Sequence, residues 1–94
     1  MSGFDVQTTK HFDRTLKKLE HAHPALREEY TAILPILADD PYNRTRRHPI
    51  KKLTGVAPGE GQYRIRMSRF RFLYDIDKQT VFLKACALRR EDTY

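Results

Sequence analysis

The spacing of apolar positions changes several times along this chain, and each change marks an element. In residues 3–8, GFDVQT, Phe4 and Val6 alternate with polar neighbours, the period-two pattern of a half-buried strand. Thr8 or Thr9 then offers a side-chain oxygen to cap a helix. Phe12, Leu16 and Leu19 follow at spacings of four and three and make one apolar face, with Arg14, Lys17, Lys18 and Glu20 on the wet side. HAHP, residues 21–24, breaks this helix, and Pro24 fits the first turn of the next. Leu26, Tyr30, Ile33, Leu34 and Leu37 form the second stripe. Pro35 lies inside that stripe, so a kink or fraying is expected there, and Asp39, Asp40 and Pro41 end the helix. The two helices read as a hairpin.

Residues 42–53, YNRTRRHPIKKL, read as a basic connector ending in a short strand, followed by the loop TGVAPGEG at 54–61. Segments 62–68, 70–77 and 80–86 each alternate with period two and predict three consecutive strands, and residues 88–94 form a short polar tail. A two-residue turn at Ser68 and Arg69 pairs Met67 with Phe70, Ile65 with Phe72 and Tyr63 with Tyr74. Every apolar residue of the hairpin then falls on one side, and a one-residue slip would scatter them. Val81, Leu83 and Ala85 extend that side, with Lys84 on the other. The architecture expected is α+β, with two N-terminal helices packed on one face of a small twisted antiparallel β-sheet, in a single domain spanning residues 1–94.

The same register crowds cations. Arg66 faces Arg71 and Arg64 faces Leu73, so Arg64, Arg66, Arg71 and Lys84 share the face turned away from the helices. Like charges directly opposite each other in a sheet cost roughly a few tenths to 1 kcal/mol. A solvated face that happens to be basic is one account, and a polyanion bound across it is the other. The net charge of +6 in 94 residues favours a polyanionic partner, either nucleic acid or an acidic protein.

The remaining composition narrows the class. A chain 39% hydrophobic and 11% aromatic is expected to fold. It has no apolar run long enough to cross a membrane, and MSGFDVQTT lacks the apolar stretch of a secretory leader, so the expected location is the cytoplasm. Cys86, the one cysteine, has no partner for an internal disulfide and reads as a structural thiol in a strand. His21 and His23 lack the accompanying ligands of a metal site, and GVAPGEG precedes a strand rather than a helix, which excludes a phosphate loop and leaves a mobile connector. Neither metal nor cofactor is expected.

LYDID followed by KACALRREDTY resembles the C-terminal half of the RelE/ParE toxins of bacterial toxin–antitoxin pairs, in which a strand ending in a small residue leads to R-R-E and then Tyr. HPIKKLTG and GQYRIRMSRFRFLYDI are similar to the family's K-L-x-G, Y-R-[IL]-R and Y-R-[LV]-[VI]-Y segments, and the resemblance runs from Phe4 to Tyr94. It implies a cognate antitoxin partner and a hetero-oligomer with it. It also implies one of two activities: metal-independent cleavage of ribosome-bound mRNA, as in RelE-like members, or inhibition of DNA gyrase without nuclease activity, as in ParE-like members. The positions matching the RelE-type basic set are Arg64, Arg66 and Arg71, with Arg89 or Arg90 and Tyr94 from the tail. All carry competent residues, which favours RNA cleavage. A small RNA-binding module without catalysis is the third reading.

Metal-free RNA cleavage needs a base for the 2′-hydroxyl, cations for the phosphorane and an acid for the 5′-oxygen. Arginine suits the second role because its fork matches phosphate oxygens, and Arg71 and Arg89 are the candidates for it. Arginine stays protonated and is a poor base. RelE itself carries lysines where this chain has Arg64 and Arg66, so the base is open between His48, since histidine as a residue type suits proton transfer, and Tyr94, whose ring could also stack on a splayed base. An exposed loop histidine is the plainer account of His48. Lys51, Lys52, Lys84 and Arg90 are candidate RNA contacts. Unbroken strand alternation assigns Arg90 to the cation face, whereas the family's spacing assigns Arg89.

Overall fold

The computed structural model describes residues 3–88, and its elements run β1 (Asp5–Thr8), α1 (Lys10–Ala22), α2 (Leu26–Asp39), β2 (Ile50–Lys52), β3 (Tyr63–Met67), β4 (Phe70–Asp77) and β5 (Thr80–Leu88). The strands form one sheet in the order β1-β5-β4-β3-β2. Neighbours are antiparallel except β1, which lies parallel to β5 with Val6 beside Val81. The α+β arrangement expected from the sequence is therefore present, with both helices on one face.

Local chemistry accounts for the helix ends. Thr9 is the N-cap of α1: its hydroxyl accepts from the Phe12 amide at 3.2 Å and donates to the Leu83 carbonyl at 3.2 Å, tying the helix start to β5. α2 starts later than the sequence suggests. Ala25 is its N-cap, and Pro24 precedes the helix in a turn in which the Leu26 amide bonds to the His23 carbonyl. Pro35 sits inside α2 without ending it. The carbonyl it leaves without an amide, on Thr31, belongs to an exposed residue within reach of solvent.

Phe12 and Leu16 of α1 and Leu26, Ile33 and Leu37 of α2 are buried against Ile65, Phe70, Phe72, Tyr74, Val81, Leu83 and Cys86. Leu19, Tyr30, Tyr63 and Met67 pack around this core half-buried. Tyr74 is fully buried, and its hydroxyl donates to the Pro41 carbonyl at 2.7 Å, so its polar tip is satisfied. Burial, which disfavours the phenolate, drives its pKa far up.

The β3–β4 pairing is the expected one, from Tyr63 opposite Tyr74 to Met67 opposite Phe70. The turn manages without glycine because Ser68 itself takes a left-handed backbone, φ 59°. β5 departs from expectation. Its register against β4 shifts between Leu73 and Tyr74: Leu73 faces Ala85, but Tyr74 faces Leu83, so Lys84 is the extra residue of a β-bulge. Beyond it the alternation reverses. Cys86 faces Phe72 and Leu88 faces Phe70 on the core side, while Ala85, expected in the core, turns with Ala87 to the open face. The alternation argument for Arg90 assumed no bulge and so loses its premise. Arg89, Arg90 and Tyr94 lie outside the described residues.

Candidate active site on the open face

The open face owes its basicity to strand parity. Arg64 and Arg66 alternate with the core residues of β3, Arg71 does so in β4, and Lys51 of β2 stands directly beside Arg64. Arg66 and Arg71 face each other and both are exposed. Ala85 and Ala87, brought here by the bulge, are too short to fill the space beside Leu73. The result is a depression of about 290 Å³ with a floor of Leu73, Ala85 and Ala87 and with Leu53, Arg64 and Arg71 around it. An apolar floor ringed by guanidinium groups suits a nucleotide: the sugar or base lies on the floor while the forks take phosphate oxygens.

The glycine-rich loop that follows Leu53 is tied to the sheet at its C-terminal end. Asp75 shares the open face and is buried, and its carboxylate accepts the Gly61 amide at 2.9 Å and the Gln62 amide at 3.0 Å. The Leu53 amide bonds to the Gln62 carbonyl at 2.8 Å, and the Gln62 side chain donates to the Val56 carbonyl at 3.1 Å. Gly61 has φ +89°, and a Cβ built there would stand 2.8 Å from the Leu73 Cβ. Only glycine allows the chain to pass this close to the sheet. The loop is thus anchored to the sheet at this end, where the sequence suggested a mobile connector.

A second depression of about 380 Å³ adjoins the first through Ala85 and brings His11, Glu60 and Lys84 together. Lys84 also lies over the Phe82 ring, 5.8 Å from its centroid, so the bulge keeps this cation on the open side. His11 and Glu60 were not singled out in the sequence. Nothing in their local pattern marks them, because one opens a helix, the other ends a loop, and only the fold brings them together.

His48 and Lys52 are not brought to the arginines. Lys52 has the parity of the core, and its ammonium lies 5.8 Å from the centroid of Tyr63. The His48 ring approaches Asp40, at the end of α2, with Nε2 4.0 Å from the carboxylate. Asp40 is buried and accepts hydrogen bonds from the Thr45 hydroxyl at 2.7 Å and from the Arg44 and Thr45 amides at 2.8 and 3.1 Å. The Thr45 hydroxyl, and then these amides and His48, hold its carboxyl below the usual range against the opposing effect of burial. Cys86 is pushed up to about 11 by burial, which agrees with a structural thiol. Among the described residues no group of three or more His, Cys, Asp or Glu could hold a metal ion, and no helix is long and apolar enough to cross a membrane.

No protein-family model matches the sequence, and no curated protein does. Solved structures do match in fold. A RelBE toxin–antitoxin complex from Mycobacterium tuberculosis contains a chain 24% identical, with TM-score 0.73, the match covering 97% of each chain. A chain of the archaeal RelE–RelB complex from Pyrococcus horikoshii is 21% identical, with TM-score 0.66, over 92% of this chain and 94% of that one. A chain of the RelB–RelE antitoxin–toxin complex from Methanococcus jannaschii is 19% identical, with TM-score 0.61, over 87% and 88%.

Proposed function

We propose that this chain, which has the fold found in RelE–RelB complexes, is the toxin of a type II toxin–antitoxin pair and a metal-independent endoribonuclease that cuts ribosome-bound mRNA. The carrying observation is the arginine-rimmed depression: Arg66 and Arg71 face each other across β3 and β4, and Arg64 stands beside them over an apolar floor. Arg66 set directly opposite Arg71 carries a repulsion that a bound phosphodiester relieves.

The chemistry runs as an in-line displacement. The 2′-oxygen attacks the adjacent phosphorus while a base takes its proton. The bond to the 5′-oxygen breaks, and an acid protonates that leaving group. The products are a 2′,3′-cyclic phosphate and a 5′-hydroxyl end. Arg71, with Arg64 and Arg66 beside it, holds the phosphate oxygens whose charge grows in the transition state. Arg89 joins them in this reading, since the family's spacing favours it. For proton transfer Tyr94 remains a candidate, and His11 and Glu60 of the adjoining depression enter beside it. His48 is the weaker candidate because its ring is directed to Asp40. Lys51 and Lys84 contact the RNA on either side. An antitoxin is the protein partner, and it neutralises the toxin by covering the basic face. A gyrase-directed activity does not call for this cluster and has no observation in its favour.

The test is primer-extension mapping of ribosome-bound mRNA. Arg71→Ala, Arg89→Ala and Tyr94→Phe should each slow cleavage, the arginine variants by about a hundredfold, or about 3 kcal/mol in the barrier. Circular dichroism should be unchanged in each. Wild-type cutting rates in all three variants would remove the catalytic assignment.

A further inference from the structure

The connector between α2 and β2 takes no part in the cleavage chemistry proposed above, yet together with β2 it is a strongly basic stretch. YNRTRRHPIKK, residues 42–52, holds five Lys or Arg and no acid. Such a segment would be expected to be loose, but here it is built. Asp40 fixes Arg44 and Thr45 through its carboxylate. The Asn43 side chain accepts the His48 amide at 3.1 Å and donates to the His48 and Ile50 carbonyls at 2.9 and 3.3 Å. Arg46 is held at φ 61°, a left-handed conformation that glycine or asparagine would adopt at less cost. A strained, hydrogen-bonded loop that presents cations has paid its ordering entropy before any partner arrives.

An aromatic surface stands beside these cations. Tyr42 is 37% exposed, the one large hydrophobic side chain so exposed among the described residues. Its ring meets Phe4 at 6.0 Å and Tyr63 at 5.8 Å edge-on, and Tyr63 stacks on buried Tyr74 at 5.6 Å, so the platform is anchored in the core. The Arg44 guanidinium lies 4.9 Å from the Tyr42 centroid, adding a planar cation to it. Exposed rings interleaved with fixed cations are what unstacked bases and their phosphates require. The surface also joins the arginine face. Lys51 and Lys52, successive residues of the edge strand β2, point to opposite sides, one beside Arg64 and the other over Tyr63.

We propose that the connector is a second RNA-contact surface, which takes a single-stranded segment continuing from the arginine face around the β2 edge. Tyr42 and Arg44 are its stacking platform, and Arg46, Arg47 and Lys52 hold its phosphates. The inference rests on RNA being the ligand of the open face.

The experiment measures fluorescence anisotropy of a labelled single-stranded RNA of about 12 nucleotides against the full chain carrying Arg71→Ala, so that binding is read without turnover. Adding Tyr42→Ala should weaken binding about tenfold or more, and Tyr42→Phe should restore it. Adding Arg46→Ala and Arg47→Ala together should lower the log–log salt slope by about 1.4, at about 0.7 per lost phosphate contact. A trinucleotide, too short to round the edge, should bind every connector variant alike. Unchanged affinity and salt slope in both variants overturn the proposal, as does loss of antitoxin affinity with RNA affinity intact, which would make the connector a protein-binding surface. A chain that binds RNA through the connector but never cuts ribosome-bound message refutes the nuclease reading alone. Cleavage by the wild type with connector variants that bind RNA normally refutes this inference alone.

Discussion

Gly61 carries two demands that no other residue meets together. Its backbone lies at φ +89°, and the Leu73 side chain occupies the place where a Cβ would go. Gly61→Ala should therefore cost about 2 to 4 kcal/mol, from the left-handed backbone and the overlap combined. Urea unfolding should show this as a lower midpoint at unchanged slope. Asp40 makes a different prediction. Its folded pKa lies below the ordinary carboxylate value, so its contribution to stability is complete above that value and is lost as pH falls through the folded one. Asp40→Asn should flatten the acid limb of the stability profile below about pH 4 while lowering stability at neutrality, as thermal melts across pH would register. Neither role was legible in the sequence. Asp40 read as a helix stop and Gly61 as loop filler, because the partners of both are set by tertiary approach: Thr45 and two amides for one, Leu73 for the other.

At the scale of elements, the hairpin of β3 and β4 was fully legible. Ile65, Met67, Phe70 and Phe72 are large and apolar, and only one register gathers them. Phe72→Ala should accordingly cost about 3 to 5 kcal/mol, measured by denaturant unfolding, since Phe72 is buried between Phe12 and Tyr30. β5 was legible only to Leu83. Past that point Ala85, Cys86 and Ala87 are all small and apolar, so either parity satisfies a pattern argument, and the bulge at Lys84 leaves no trace in hydropathy. With Lys84 present, only the bulge puts Ala85 and Ala87 on the open face. Deleting Lys84 removes the extra residue, so Leu83 still meets Tyr74, Ala85 still meets Leu73 and Cys86 still meets Phe72, with a regular ladder in place of the bulge. The deletion should therefore keep the core and change stability by no more than about 1 kcal/mol. Lys84→Ala keeps the residue count and should leave stability within about 0.5 kcal/mol. Urea unfolding of both variants checks this, and a loss of several kcal/mol on deletion would contradict the register.

For the whole molecule, charge is the controlling property. A net +6 borne largely on one sheet face and one connector leaves a surface that repels itself until a polyanion or an acidic protein segment covers it. On the toxin reading proposed above, expression of this chain alone should arrest bacterial growth, and co-expression of a cognate antitoxin should relieve it. Equal growth curves with and without induction, at confirmed protein levels, would refute the toxin reading. The basicity itself was readable from the sequence. Its division into an arginine face and a connector was not, because that division turns on Lys51 and Lys52 straddling an edge strand.

The parallel pairing of β1 with β5 ties Asp5 to Thr80 and Thr8 to Leu83. A ribosome makes β1 before every other described element and β5 after them all. The sheet therefore stays open through most of synthesis, and the floor beside Arg71, which needs Ala85 and Ala87, does not exist until β5 has been made. Closing so long a loop is a late and slow event in folding, since its entropy cost precedes any contact that repays it. A chain interrupted before β5 consequently lacks the depression altogether. The order in which the chain is written leaves the completion of its basic hollow to the last strand made.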